Sequence, residues 1–436
     1  MHFLYNILTV FIVILAIPVF IMRLIREKGF GRRLWQSFGF LSFHDIEPVA
    51  HKDCIWLHAA SVGEIVAASP IIKEIHRSFP GKPVLVSVVT ATGYEMAKRI
   101  ITDADSIIFY PFDLPFVSYC VVRRIRPSAF MMVETELWPN FLKTLGHFHI
   151  PVMMVNGRIS DKSVGRYRYL GSVLKNMLNT VDKFCMQSTI DAEYIIRLGA
   201  EPQRVVVTGN TKFDQNYTSV TLEEQQAIGM ELGLEHAFPV MVAGSTHKGE
   251  EEILFSALKE IRKSFPKIKL VLAPRDTKRV DELVSLATSF GFVAVLRTAL
   301  QSMRSEQHDV VLLDTIGELG KIYSIGTVIY VGGSLIPQGG HNILEPAAHG
   351  KPILVGPHMF NFKDTYALFS KRQACITVDN AASLAEQILY ILNNEPVRLR
   401  MERETLAIID ENRGAAHKTM LYLREILNQS KENVLK

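Results

Sequence analysis

The chain has 436 residues, 48% of them hydrophobic and 21% charged, with a formal net charge of +4. That length exceeds one ordinary core, so two globular domains are expected, and the composition excludes intrinsic disorder. The small positive excess does not demand nucleic acid but suits an anionic membrane surface or an anionic substrate. Cys54, Cys120, Cys185 and Cys375 stand far apart without a C-x-x-C pair and read as buried thiols of a reducing compartment.

At the N-terminus, Phe3 to Met22 is almost continuously apolar, interrupted only by Asn6, Thr9 and Pro18. A run of about 20 such residues is long enough to cross a hydrocarbon core. Arg23, Arg26, Lys28, Arg32 and Arg33 follow the run, the reverse of a signal peptide's order, and the positive-inside rule assigns everything after it to the cytoplasm. An amphipathic helix lying on the membrane or docked on the protein would use the same residues. Residues 1–30 are therefore expected to form a membrane anchor.

Apolar runs then alternate with helical patterns: Cys54 to Leu57, Val84 to Val89, Ile107 to Tyr110, Ala129 to Val133, Val152 to Val155, Phe184 to Met186, and Val205 to Val207. This is a βα repeat with buried parallel strands. A second series comprises Val240 to Ala243, Leu270 to Ala273, Phe292 to Leu296, Val310 to Leu313, Val328 to Val331, Ile353 to Val355 and Ile376 to Val378. The reading is an α/β protein of two doubly wound Rossmann-like domains, 31–217 and 218–436, with the hinge in the polar stretch Thr211 to Glu223. A ligand cleft is expected between them, at the carboxyl ends of both sheets. Helices at Ser383 to Asn393 and Ala415 to Leu427 would pack outside the second domain, unless the last returns to the first.

Several strand-end residues are candidates for chemistry. His58-Ala59-Ala60-Ser61-Val62-Gly63-Glu64 closes the first strand and opens a helix whose Ile65, Ala68, Ile72, Ile75 and Phe79 recur at helical spacing. Its small residues let a substrate approach the backbone, and Glu64 stands at a strand-to-helix turn, where α/β enzymes keep their chemistry. A carboxylate that merely complements the helix dipole would occupy the same position. Glu134 and Glu136 follow the strand ending at Val133 and could share a cleft with Glu64, orienting a substrate hydroxyl or tuning the acid-base group. Lys212, in Gly209-Asn210-Thr211-Lys212-Phe213-Asp214, is either a solvated lysine or a cation facing an anionic leaving group.

The second half carries glycine-rich turns, Gly332-Gly333-Ser334 and Gly339-Gly340-His341-Asn342-Ile343-Leu344-Glu345-Pro346, which would offer backbone N–H groups to an anion. Asn342 and Glu345 lie within one helical turn and could reach ribose hydroxyls. Pro274-Arg275 and Ile316-Gly317-Glu318 add two loops to the same rim, favouring a nucleotide. Asp103-Ala104-Asp105 precedes a strand and reads as a polar turn rather than a metal site. His341, Glu345 and His349 recur at four-residue spacing, but Pro346 disturbs the register, so a zinc site is not expected. The P-loop lysine, the G-x-G-x-x-G fingerprint and HExxH are all missing. Two basic sets, Arg123, Arg124 and Arg126, then Arg158, Lys162, Arg166 and Arg168 with Tyr167 and Tyr169 interleaved, are solvated helix faces or contacts for acidic lipid headgroups.

Taken together, HAASVGE, VETELWPN, NGRIS, GNTKFD, APR, GEL and GGHNILEP, in this order and across nearly the whole chain, resemble the Kdo (3-deoxy-D-manno-octulosonic acid) transferases of lipopolysaccharide assembly. The resemblance implies a GT-B glycosyltransferase at the cytoplasmic face of the inner membrane. It would move Kdo from CMP-Kdo to a lipid A precursor (lipid IVA), with inversion and without a metal or other cofactor. It implies Glu64 as the general base and Glu134 and Lys212 as transition-state stabilisers. The cytidine nucleotide would meet Pro274 and Arg275, Ile316, Gly317 and Glu318, and Asn342, Ile343, Leu344 and Glu345. A carboxylate at a helix N-terminus should be a weak base unless burial or Glu134 raises its proton affinity. The alternatives are another nucleotide-sugar enzyme on the same fold (an N-acetylglucosamine transferase or an epimerase), a dinucleotide oxidoreductase, disfavoured by the missing fingerprint, and a non-catalytic membrane scaffold.

Overall fold

The computed structural model describes residues 2–26, 29–159, 164–165, 167, 170–215, 217, 219–300 and 308–435. Two compact units are present: Met1–Gln215 with Asn412–Lys436, and Asn216–Glu411.

The first unit is built on a parallel seven-stranded sheet of order β3-β2-β1-β4-β5-β6-β7. Its strands are β1 Ile55–His58, β2 Val84–Val88, β3 Ser106–Phe109, β4 Ala129–Val133, β5 Val152–Gly157, β6 Lys183–Met186 and β7 Val205–Val207. β1, β2, β4 and β5 are buried at every residue, because helices cover both faces of the sheet. Alternate side chains divide between two cores. Trp56, Phe130, Met132 and Phe184 enter one with Phe141, Leu145 and Leu174 from covering helices, while Ile55, Leu57, Met131 and Val133 enter the other. The second core also takes Ile65, Ala68 and Ile72 from the helix Val62–Ser78, and Met420, Leu423 and Ile426 from the terminal helix Ala415–Leu435. The terminal helix is fastened at its start, where the Asp214 carboxylate accepts the N–H groups of Gly414 (2.5 Å) and Ala416 (2.6 Å).

The second unit repeats the plan, with the order β10-β11-β9-β8-β12-β13-β14, all parallel. The strands are β8 Val240–Thr246, β9 Lys269–Pro274, β10 Ala294–Leu296, β11 Val310–Leu312, β12 Val328–Val331, β13 Ile353–Val355 and β14 Cys375–Thr377. Each of the fourteen apolar runs is a strand. β10 starts two residues later than its run, since Phe292 turns into the core and the N–H of Val293 is taken by the Asp309 carboxylate at 2.9 Å. An 18-residue helix, Glu395–Asn412, was not apparent from periodicity: its buried stripe of Met401, Thr405, Ile408 and Ile409 is diluted by charge.

His2–Arg26 is one helix, long and apolar enough to cross a membrane. In this structure it lies against the first unit. Tyr5, Thr9, Val13, Ala16 and Phe20 form its half-buried stripe, the Tyr5 hydroxyl donates to the Asp113 carboxylate at 2.8 Å, and Phe20 stacks on Phe112. The remaining faces expose Phe3, Leu8, Phe11, Leu15 and other large apolar side chains.

Candidate functional site

In a doubly wound sheet, ligands bind where the connections reverse direction, at the carboxyl ends of the strands. In the first unit that point lies between β1 and β4. Glu64 follows β1 and Glu134 follows β4 directly, so the topology brings together two carboxylates 70 positions apart in sequence.

Glu64 occupies the first turn of Val62–Ser78, which Ser61 caps by accepting the Glu64 N–H. The Glu64 side chain turns back on this cap. Its two carboxylate oxygens accept the Ala60 N–H and the Ser61 hydroxyl, each at 2.7 Å. Only 7% of the residue is exposed. Burial raises its proton affinity most, and the nearby charges of Glu136 and Glu134 add to it, overcoming the hydrogen bonds from Ser61 and Ala60; the pKa rises to about 7. The helix terminus therefore does not make it a weak base. Burial also raises Glu134, while the positive charges of Lys212 and Arg158 oppose the shift. Glu134 adopts φ of 58°, a left-handed conformation uncommon outside glycine, with its N–H still paired to the Val155 carbonyl at 2.9 Å.

Lys212 reaches this group through a proline. Pro70 lies inside Val62–Ser78 and has no N–H to give the Val66 carbonyl one turn earlier. That carbonyl accepts instead from the Gln215 side chain at 3.1 Å, and the adjacent Ala67 carbonyl accepts from Thr211 Oγ1 at 2.8 Å. The turn Thr211–Asp214, which carries Lys212, is thereby strapped to the helix that carries Glu64. Asn156 Oδ1 completes the attachment by accepting the Thr211 N–H at 3.0 Å. The first four residues of the stretch read as a hinge thus form a fixed part of the site.

Glu136 sits at the edge of the same group. Its Oε2 accepts the Trp138 indole N–H at 3.0 Å and lies 3.7 Å from Nε2 of the fully buried His58, whose Nδ1 contacts Ser87. Trp138 also lines an apolar cavity of about 360 Å³, with Phe20, Phe30, Leu34 and Phe112, and Arg23 and Arg33 among its lining. The two basic sets fare differently. All three arginines of the first set are exposed; Arg124 donates to the Leu41 carbonyl at 2.7 Å and Arg126 lies over the Phe148 ring. Arg158 belongs with Glu134. Lys162, Arg166, Arg168 and Tyr169 lie outside the described residues.

In the second unit the reversal lies between β8 and β12. Asn342 and Glu345 follow β12, and the Asn342 amide donates to Glu345 Oε1 at 3.2 Å. Burial raises the Glu345 pKa, against the Asn342 hydrogen bond and the Arg275 charge. Ile343 and Leu344 are fully buried in this structure. Pro274 ends β9, and Arg275 follows on the exposed rim. Ile316 is 83% exposed, Gly317 takes φ of 98°, and Glu318 pairs with Arg297 at 3.2 Å. His349 links that loop to the others by contacting the Gly320 carbonyl at 2.7 Å. Among the described residues no group of three His, Cys, Asp or Glu comes together to hold a metal ion, so the His341, Glu345 and His349 set does not converge.

One expectation is corrected here. The N–H groups of Gly333, Ser334 and Leu335 are not open to an outside anion, because the buried carboxylate of Glu250 accepts all three at 2.7 to 3.0 Å. Glu250 also accepts the His247 N–H (3.0 Å) and the Tyr330 hydroxyl (2.6 Å). Sequence reasoning missed Glu250 and His247, although Ser245-Thr246-His247-Lys248-Gly249-Glu250 repeats the layout of HAASVGE, with small residues, a histidine and a glutamate opening a helix after the unit's first strand.

Two doubly wound parallel sheets, each with polar residues at its reversal point, define a GT-B fold. Consistent with that architecture, the chain resembles UDP-GlcNAc 2-epimerase from Neisseria meningitidis, solved with UDP-GlcNAc, at a TM-score of 0.55 and 13% identity, covering 82% of this chain and 98% of that one. Residues 32–215 match the family model described as 3-deoxy-D-manno-octulosonic-acid transferase (kdotransferase). The 3-deoxy-D-manno-octulosonic acid transferase of Haemophilus influenzae is 29% identical over 407 residues, covering 93% of this chain and 94% of that protein. Its namesake from Bordetella pertussis is 30% identical, covering 86% and 87%. The chain belongs to the Kdo transferase family and is a glycosyltransferase.

Proposed function

We propose that the chain transfers Kdo from CMP-Kdo to a lipid A precursor (lipid IVA), with inversion at the anomeric carbon, at the cytoplasmic face of the inner membrane. The observation that carries this reading is Glu64, a buried carboxylate at a reversal point with a pKa near 7. A base poised there removes the proton of an acceptor hydroxyl as that oxygen attacks the sugar carbon. Glu134 and Lys212 act as transition-state stabilisers, the ammonium beside the strained carboxylate offsetting charge that develops during transfer. In the second unit, Pro274, Arg275, Ile316 to Glu318 and Asn342 to Glu345 receive the cytidine nucleotide, Glu345 and Asn342 serving the ribose. The departing CMP is an anion that backbone N–H groups and Arg275 can stabilise, so the reading requires no divalent ion.

For the acceptor, the apolar cavity beside Trp138, with Arg23 and Arg33 in its wall, has the chemistry of a phosphorylated, acylated sugar. The helix His2–Arg26 keeps the chain at the membrane through its exposed apolar faces, and the arginines that follow favour the cytoplasmic side. Mass spectrometry of the product formed from CMP-Kdo and a tetra-acylated lipid A precursor tests the reading. One or more added Kdo masses are expected, and an unmodified acceptor would defeat it.

A further inference from the structure

Outside the residues assigned above, His247 and His341 form a close polar pair in the second unit. His247 lies just past β8 and His341 in the turn after β12, so their rings straddle the reversal point. Their Nε2 atoms are 2.8 Å apart and the rings are parallel within 1°. At that distance one ring donates and the other accepts, since two N–H groups or two lone pairs would repel, so a single proton lies between them.

The surrounding backbone is arranged to hold this pair. Glu250 Oε2 accepts both the His247 N–H and the Gly333 N–H, and the Gly333 carbonyl in turn accepts the Gly340 N–H at 2.7 Å. One buried carboxylate thus fixes the loops on either side of the two rings. Any side chain at position 333 would come within 3.0 Å of the His341 ring, so glycine leaves the ring its space. The charged groups facing the pair are Arg275, toward both rings, and Arg279 and Glu250, toward His247. Burial disfavours a cation on either ring; Arg275 and the neighbouring His247 disfavour it further at His341, taking it down to about 4, while at His247 Arg275 and Arg279 act against the pull of Glu250. An entering anion reverses that balance, because it cancels the arginine field and supplies acceptors for both N–H groups.

Resting on the donor pocket proposed above, we infer that His247 and His341 bind the phosphate of the cytidine nucleotide, sharing one proton when the site is empty and taking up a second when the phosphate is the dianion of CMP, the form that transfer releases from the donor's singly charged diester. The second proton comes from solvent, each ring then donates one N–H to a phosphate oxygen, and no covalent bond is made or broken.

The test is calorimetric titration of CMP into the detergent-solubilised full chain at about pH 7.5, where the phosphate is already mostly dianionic. Two buffers of different ionisation enthalpy report the protons exchanged. Uptake on the order of one proton per CMP is expected, and none with cytidine, which lacks the phosphate. His247→Asn and His341→Asn should each weaken CMP about tenfold or more while abolishing uptake. Both should keep wild-type cytidine affinity, which shows that the pocket is intact. Asn342→Ala, outside the pair, should weaken CMP and leave the uptake unchanged. Wild-type binding of CMP without proton uptake overturns this inference and leaves the donor pocket standing, as do two variants that match wild type. Loss of cytidine affinity in both variants also overturns it, by making the pair a structural element of the pocket. Failure of the wild-type chain to bind CMP sinks the donor reading together with it.

Discussion

Replacing Glu64 by glutamine should abolish transfer and at the same time stabilise the first unit, but only where the carboxyl would be ionised. Burial, assisted by Glu136 and Glu134, raises its pKa from an ordinary 4.5 to about 7. Each tenfold change in proton affinity corresponds to about 1.4 kcal/mol, so an ionised Glu64 costs the folded state about 3 kcal/mol. Below about pH 4.5 the group is protonated folded and unfolded, and the cost is absent. It builds as pH rises toward 7 and is complete above that. Glutamine removes it while keeping one oxygen to accept the Ala60 N–H or the Ser61 hydroxyl. The expected gain is about 1 to 3 kcal/mol at pH 8, or roughly 3 to 8 °C in Tm, and close to zero at pH 4. All three tryptophans, Trp35, Trp56 and Trp138, lie in the first unit, so thermal unfolding followed by intrinsic fluorescence reads that unit directly. A gain of equal size at both pH values, or a loss at pH 8, would refute the assignment of a buried carboxylate that is costly to ionise.

Transfer itself should rise with pH through about 7, as Glu64 ionises, so the rate at pH 6 should be roughly a tenth of the plateau. Glu136→Gln removes a negative neighbour and should move that limb to lower pH; a pH–rate profile that stays put or moves upward argues against the coupling. Glu250→Ala strips five donors of their acceptor. It should destabilise the second unit by about 3 to 5 kcal/mol, with faster amide exchange at Gly333, Ser334 and Leu335. Transfer should also persist in the presence of a chelator, and a complete loss restored by added metal would contradict the metal-independent reading.

The strands were legible because a parallel sheet covered on both faces turns each strand into an unbroken apolar run, as at Val84–Val88 and Ala129–Val133. The positions of Glu64, Glu134 and Lys212 at strand ends were legible for a related reason: each stands just past an apolar run. Other features depend on groups that only the fold brings together. Glu250 looks like one more solvated acid until five donors surround it, and His247 and His341 are 94 positions apart. The Leu41 carbonyl and the Phe148 ring that engage Arg124 and Arg126 were likewise invisible in the sequence. The strap from Gln215 to Val66 was equally hidden, although Pro70 marked the carbonyl that would need a donor.

The most direct measurement compares wild type and Glu64→Ala in Kdo transfer from CMP-Kdo, with CMP-Kdo binding measured in parallel on the same preparations. Loss of turnover by about a hundredfold or more with unchanged donor affinity is the predicted result, since the base is needed only as the acceptor attacks. Turnover equal to wild type would contradict the account.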